Sequence, residues 1–131
     1  MDVHDLITQA RQAQNHAVSP YSNFQVGAAL LDADGNIHLG CNIENSSYGL
    51  SMCAERVALF KAISEGHTEF KAIAIAGPGT LPCPPCGACR QVMWDLAGDI
   101  RVIIVSGSEY EETKLSNLLP NAFGSNFLNQ K

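Results

Sequence analysis

Charge is scarce in this 131-residue chain. Only 16% of its residues are Asp, Glu, Lys or Arg, and 8 basic side chains stand against 13 acidic ones. A net charge of −5 excludes a strong electrostatic grip on a phosphate backbone, which depends on Lys and Arg. It also excludes the basic patch expected at an anionic membrane surface. No apolar run approaches the roughly 18 residues that a membrane span needs. Residues 1–15 carry Asp2, Asp5, Arg11 and five Gln, Asn or Thr residues, with no apolar signal core, so a cytoplasmic chain is expected. No repeat, low-complexity tract or linker divides it, and residues 1–131 read as one domain. At 46% apolar residues it can build a core of its own. Its low charge leaves apolar surface that identical subunits would cover.

Apolar residues spaced by three and four at Val3, Leu6, Ile7, Ala10, Ala13 and Ala17 predict a helix, closed off by Pro20. Phe24–Leu31 and Ile37–Asn42 flank Asp34-Gly35 and predict a hairpin. The polar stretch Glu44–Ser51 reads as a loop. A mostly buried helix runs from Met52 to Gly66, and Phe70–Ala76 is a short apolar strand. Gly87–Ala97 reads as a helix, Ile100–Val105 as a strand covered on both faces, and Lys114–Leu119 as a short helix. Strands alternating with helices after an opening hairpin predict an α/β sandwich with a mixed sheet.

Five cysteines are present: Cys41, Cys53, Cys83, Cys86 and Cys89. In a reducing compartment they are thiols or metal ligands, and the odd number agrees. Zinc sites commonly take one ligand pair at Cys-x-x-Cys spacing, and a third protein ligand leaves a coordination position open for chemistry. Both Cys83/Cys86 and Cys86/Cys89 have that spacing. Cys86 and Cys89 are favoured, because they open a helix whose positive end stabilises thiolates, whereas Cys83 precedes two prolines. Cys53 also opens a helix, and Glu55 lies two residues on in an otherwise apolar stretch. A glutamate there is either an exposed helix-start acid or a buried general base, and its coincidence with the cysteines favours the base. Three thiolates outweigh the charge of one zinc ion, so Arg56 and Arg90 are the candidates to compensate it. Cys41 is expected as a buried small hydrophobe, and His4, His16, His38 and His67 as surface residues that match no ligand spacing.

At these residues the sequence resembles the cytidine deaminase family, of the small-subunit, three-cysteine, homotetrameric kind. The resemblance spans almost the whole chain. It rests on Ser19–Ala29 (SPYSNFQVGAA), Asn42–Tyr48 (NIENSSY), Cys53-Ala54-Glu55-Arg56, Pro85–Gln91 (PCGACRQ), and Leu118-Leu119-Pro120 followed by Phe123-Gly124. It implies a three-layer α-β-α sandwich with a mixed sheet of about five strands. It implies one zinc ion per chain on Cys53, Cys86 and Cys89, with Glu55 shuttling protons. It further implies that Asn42 and Glu44 bind the ribose hydroxyls, Phe24 packs on the pyrimidine, the backbone at Ala54 reads the ring edge, and Phe123 reaches a neighbouring subunit's site. The implied reaction converts cytidine and deoxycytidine to uridine and deoxyuridine with release of ammonia, a step of pyrimidine salvage. Ser125 stands where the family often has proline, and Cys83 is additional.

Three other readings compete. A same-fold deaminase could act on another aminopyrimidine nucleoside such as blasticidin S, but Asn42 and Glu44, two residues apart and so on one face of an extended segment, suit two adjacent hydroxyls. A closed structural zinc module of Cys53, Cys83, Cys86 and Cys89 would need both prolines accommodated. A redox dithiol leaves Cys53-Ala54-Glu55 unexplained.

Overall fold

A computed structural model describes residues 2–128, so both ends of the expected 1–131 domain lie outside the described residues. The elements are α1 (Val3–Gln14), β1 (Gly27–Asp32), β2 (Ile37–Cys41), α2 (Ala54–Ser64), β3 (Phe70–Ala76), α3 (Gly87–Ala97), β4 (Arg101–Ser106), β5 (Glu109–Lys114) and α4 (Leu115–Leu118). Short 3₁₀ turns form at Tyr48–Leu50 and Ser125–Phe127. The five strands lie in the order β2-β1-β3-β4-β5. Only the β3–β4 pair is parallel, so the sheet is mixed as expected.

Alternate residues of β1 explain the three layers. Ala28 and Leu30 face a cluster built with Ala58 and Leu59 of α2 and Met93 of α3. Ala29 and Leu31 face the opposite way, against Leu6 and Ala10 of α1. All six residues of β1 are therefore buried, as befits a strand with helices on both sides. The helices approach closely. A Cβ at Gly40 of β2 would fall 2.4 Å from the Ala54 carbonyl oxygen, so glycine there lets the start of α2 lie directly on the sheet.

Several boundaries differ from the sequence reading. Helix α1 stops at Gln14, with Asn15 as its cap, so Ala17 lies beyond it. Pairing in β1 begins at Gly27, which leaves Phe24 in the loop before it. Strand β5 was hidden because its residues, Glu-Tyr-Glu-Glu-Thr-Lys, have almost no buried face. Backbone pairing to β4 holds this edge, helped by the ion pair of Arg101 with Glu112 at 2.7 Å. Cys41 is half-buried, not buried. Two histidines are not surface residues in the sense expected: His38 is 7% exposed, and both His38 and His67 turn onto the buried carboxylate of Asp32.

Candidate active site

One edge of the sheet, at the start of β1 and the ends of β2 and β3, carries the proposed chemistry. Helices α2 and α3 both point their N-termini at it. Cys53 is the N-cap of α2 and Cys86 the N-cap of α3, and Cys89 follows in the first turn of α3. Neither cap side chain bonds its own helix. The sulfurs face each other instead: Cys53 Sγ and Cys86 Sγ lie 3.9 Å apart, and all three sulfurs lie within 4.8 Å of one another. Tetrahedral zinc with Zn–S bonds of about 2.3 Å would set its sulfurs about 3.8 Å apart, so this donor set fits the ion.

Electrostatics favour thiolate at Cys53. Its thiol is pushed down to about 5, first by the hydrogen bond from Cys89 and then, against burial, by Arg56. Cys89 is pushed up because it donates in that pair and is buried beside it. Arg56 Nη2 lies 3.4 Å from Cys53 Sγ, so this arginine touches the cluster. Its Nε is buried and has no hydrogen-bond partner among the described residues. Arg90, the other candidate, turns away: it donates to the carbonyls of Pro85 and Leu118 at 2.7 and 2.9 Å. Cys83 is no member of the cluster. Burial, with the charge of Glu55 next, pushes its thiol up to about 11, so it stays protonated.

Glu55 is the buried acid, not the exposed one. It is 4% exposed in the first turn of α2, and burial, with the nearby charge of Cys53, raises its carboxyl to about 7. A carboxyl so placed can both accept and return a proton near neutral pH.

A cavity of about 380 Å³ opens over these groups. Cys53, Ala54, Glu55 and Cys86 line it together with Phe24, Asn42 and Glu44. Ser22, Val26, Cys83 and Pro84 complete the lining. Phe24 is 46% exposed and is presented by a turn in which Asn23 adopts φ +56°, a left-handed conformation that asparagine tolerates. The turn is closed by the Asn23 amide donating to the Ser19 carbonyl at 2.9 Å. Asn42 uses its side chain as a strap. Its Nδ2 donates to the Phe24 carbonyl at 2.7 Å, and its Oδ1 accepts from the Val26 amide at 2.8 Å. Glu44 accepts from the amides of Tyr21 and Ser22 at 3.0 and 3.1 Å and from the Ser22 hydroxyl. Those bonds, the Ser22 hydroxyl first, hold its carboxyl below the ordinary glutamate range.

Phe123 is not among the residues lining this cavity. It is 56% exposed on the C-terminal segment and stacks on Phe127 with ring centroids 5.5 Å apart. Its carbonyl accepts from Gln91 Nε2 at 2.8 Å, which ties the segment to α3. The Ser125 amide donates to Asp95 Oδ1 at 3.1 Å, a bond that a proline could not make. Sequence reasoning gave Ser22 no role of its own. Its only signal was its place in the SPYSNF run.

Comparison with known proteins agrees with this geometry. Residues 1–106 match the family described as the cytidine and deoxycytidylate deaminase zinc-binding region. A cytidine deaminase of Halalkalibacterium halodurans is 51% identical over 131 residues, covering 98% of this chain and 99% of that protein. The crystal structure of cytidine deaminase from Burkholderia pseudomallei superposes with a TM-score of 0.90 at 47% identity, covering 94% of this chain and 100% of that one. The Mycobacterium tuberculosis cytidine deaminase structure gives 0.83 at 40% identity, with 95% and 98% covered.

Proposed function

The chain belongs to the cytidine and deoxycytidylate deaminase family and is a zinc-dependent hydrolytic cytidine deaminase, and from that premise we propose which residues carry the reaction. The single observation that carries the assignment is Glu55, buried at a cavity that Cys53, Cys86, Phe24 and Glu44 also line.

Cys53, Cys86 and Cys89 would hold the zinc ion. When bound, zinc supplies Lewis acidity that lowers the pKa of water from about 15.7 towards about 7, less so with three thiolate ligands. Arg56 offsets part of the sulfur charge from 3.4 Å. Phe24 offers a ring face for the pyrimidine, and the backbone at Ala54 reads its edge. Glu44, with Asn42 beside it, addresses the sugar hydroxyls. Glu55 takes a proton from the attacking water and delivers it to ring N3. A carbon–oxygen bond forms at C4, which becomes tetrahedral. Glu55 then takes the remaining proton from the new C4 hydroxyl and passes it to the amine, the C4–N bond breaks as the C4 carbonyl forms, and ammonia leaves. Cytidine plus water thus gives uridine plus ammonia, and deoxycytidine gives deoxyuridine.

The enzyme is further proposed to be one catalytic domain over residues 1–131, cytoplasmic, serving pyrimidine salvage on free nucleosides, with no nucleic-acid partner. A homotetramer is proposed because apolar side chains crowd the surface beside the cavity. Tyr48 and Leu50 are 71% and 70% exposed, and Tyr48 meets Tyr21 edge to face at 5.5 Å. Incubating the zinc-loaded protein with cytidine, deoxycytidine and the analogue lacking a 3′-hydroxyl tests the substrate reading by loss of the cytidine absorbance band. Turnover of the first two, with a large loss for the third, is the expected result. Equal turnover of the third would overturn the sugar contacts.

A further inference from the structure

Two imidazoles converge on one carboxylate oxygen at the end of the sheet opposite the cavity. His38 Nε2 lies 2.9 Å from Asp32 Oδ2, and His67 Nδ1 lies 3.1 Å from the same oxygen. The two rings are tilted by 53° with centroids 4.6 Å apart. The three donor atoms lie within 4.8 Å of one another. Strand β1 separates them from the catalytic end: at about 3.3 Å per residue, Asp32 lies some 20 Å along the sheet from Val26.

The supporting bonds hold each ligand in place. Asp32 is 1% exposed, and its Oδ1 accepts from the amides of Asp34 and Asn36, both at 2.9 Å. That leaves Oδ2 as the free corner of the carboxylate, aimed at the histidines. His67 is fixed by the end of α2. Gly66, at φ +98°, donates to the Ile63 carbonyl, and His67 donates its own amide to Ala62 at 3.0 Å. This is the paired closure of a helix by a left-handed glycine. It turns the His67 ring back onto the hairpin.

We propose that Asp32, His38 and His67 form a second metal site, which takes a divalent transition cation of the zinc class. Bonds of about 2.0–2.2 Å from nitrogen and oxygen to a tetrahedral ion set neighbouring ligands about 3.3–3.6 Å apart, so the observed 2.9 and 3.1 Å need to open by only a few tenths of an ångström. Imidazole and carboxylate together suit zinc, cobalt or nickel better than the hard ions calcium or magnesium. His38 and Asp32 are buried, while His67 is 30% exposed and stands at an opening of about 150 Å³, which gives the ion a way in. The described residues lining that opening include two more carboxylates, Asp34 and Glu69, and no lysine or arginine. Binding needs a lone pair on His38 Nε2 and on His67 Nδ1, so the proton of each neutral ring moves to its other nitrogen, and any additional proton is released. The bound ion would tie the β1–β2 hairpin to the α2–β3 loop.

Dialysis of the zinc-loaded protein against micromolar free Zn2+, followed by metal analysis, tests this. Two equivalents per chain are expected for the wild type and one for His67→Ala, with cytidine turnover unchanged by the substitution. Co2+ added to the zinc-loaded wild type gives a check that needs no variant. Visible d–d bands without sulfur-to-cobalt charge transfer are expected from nitrogen and oxygen ligands. A wild type that stays at one equivalent, a His67→Ala protein that still takes two, or a sulfur charge-transfer band from the added cobalt would each overturn the site.

Discussion

The side-chain amide of Asn42 bridges the backbone of Phe24, with Nδ2 2.7 Å from the Phe24 carbonyl and Oδ1 2.8 Å from the Val26 amide. The residue assigned to the sugar therefore also fixes the aromatic ring assigned to the base. One N–H and one acceptor lone pair remain on the amide for a ligand. Glu44 is different. Its hydrogen bonds run to Tyr21 and Ser22 in the turn, and it reaches Phe24 only through the Ser22 hydroxyl, which accepts from the Phe24 amide at 3.1 Å.

Asn42 and Glu44 should therefore fail in different ways. Asn42→Ala releases Phe24 and should weaken free cytosine as well as cytidine, with the larger loss for cytidine because a sugar contact goes too. Glu44→Gln should weaken cytidine by about 1–3 kcal/mol, or roughly 5–150-fold, while free cytosine binding changes little. Inhibition constants for cytosine beside KM for cytidine measure both. Equal losses for the two ligands in Glu44→Gln would remove it from the sugar.

Glu55→Gln keeps the shape of the side chain but cannot take a proton. A loss in kcat of about 10²–10⁴-fold or more is expected, because one carboxyl serves several transfers. Zinc content and KM should change far less than kcat. Turnover near the wild-type rate would mean that the proton travels by another group.

Metal retention should separate the two Cys-x-x-Cys pairs. Cys83→Ala should keep its zinc, since the Cys83 thiol stays protonated and lies outside the sulfur cluster. Cys86→Ala should lose it. Metal analysis after dialysis distinguishes the two outcomes, and equal zinc loss would restore the closed four-cysteine site.

The cysteine site was legible because Cys-x-x-Cys at a helix start brings its own geometry: ligand spacing and helix end coincide in the sequence. Glu55 was legible only through Cys53 two residues earlier. The Asp32 cluster was not legible. Asp32, His38 and His67 come from two strands and a loop, and what joins them is the strand register, Leu30 opposite His38 and Asp32 opposite Phe70. Strand β5 escaped notice for the opposite reason. It has no apolar face to leave a period in the sequence, and backbone bonds to an edge carry no residue signature. Arg90 was the weaker of the two charge candidates, because adjacency to Cys89 in sequence does not fix direction. One turn into α3 its guanidinium points to the Leu118 carbonyl.

Asp32 should make the fold sensitive to acid. Burial alone would raise its carboxyl. The hydrogen bonds from His38 and from the amides of Asn36 and Asp34 outweigh burial and hold it well below the ordinary carboxylate range. A group whose folded pKa lies below its unfolded value, about 3.9, contributes stability above that value and loses it as pH falls. Denaturant unfolding of the wild type should therefore weaken progressively from about pH 5 downward, and Asp32→Asn should flatten that slope while being less stable at pH 7. Parallel slopes for the two proteins would mean that other carboxylates set the acid limit.

Phe123 decides whether the sites are shared. The residue is exposed and, among the described residues, belongs to no buried cluster, lies outside its own chain's cavity and stacks only on Phe127. In an isolated chain its truncation should cost little, because exposed surface substitutions usually shift stability by within about 0.5 kcal/mol. In a tetramer whose sites are completed by neighbours, Phe123→Ala should lower kcat/KM for cytidine while leaving zinc content unchanged. Sedimentation supplies the other half. The wild type should run at about four times the 14.0 kDa chain. A fully active species at the chain mass, or a Phe123→Ala tetramer with unaltered kcat/KM, would leave each cavity complete within one chain.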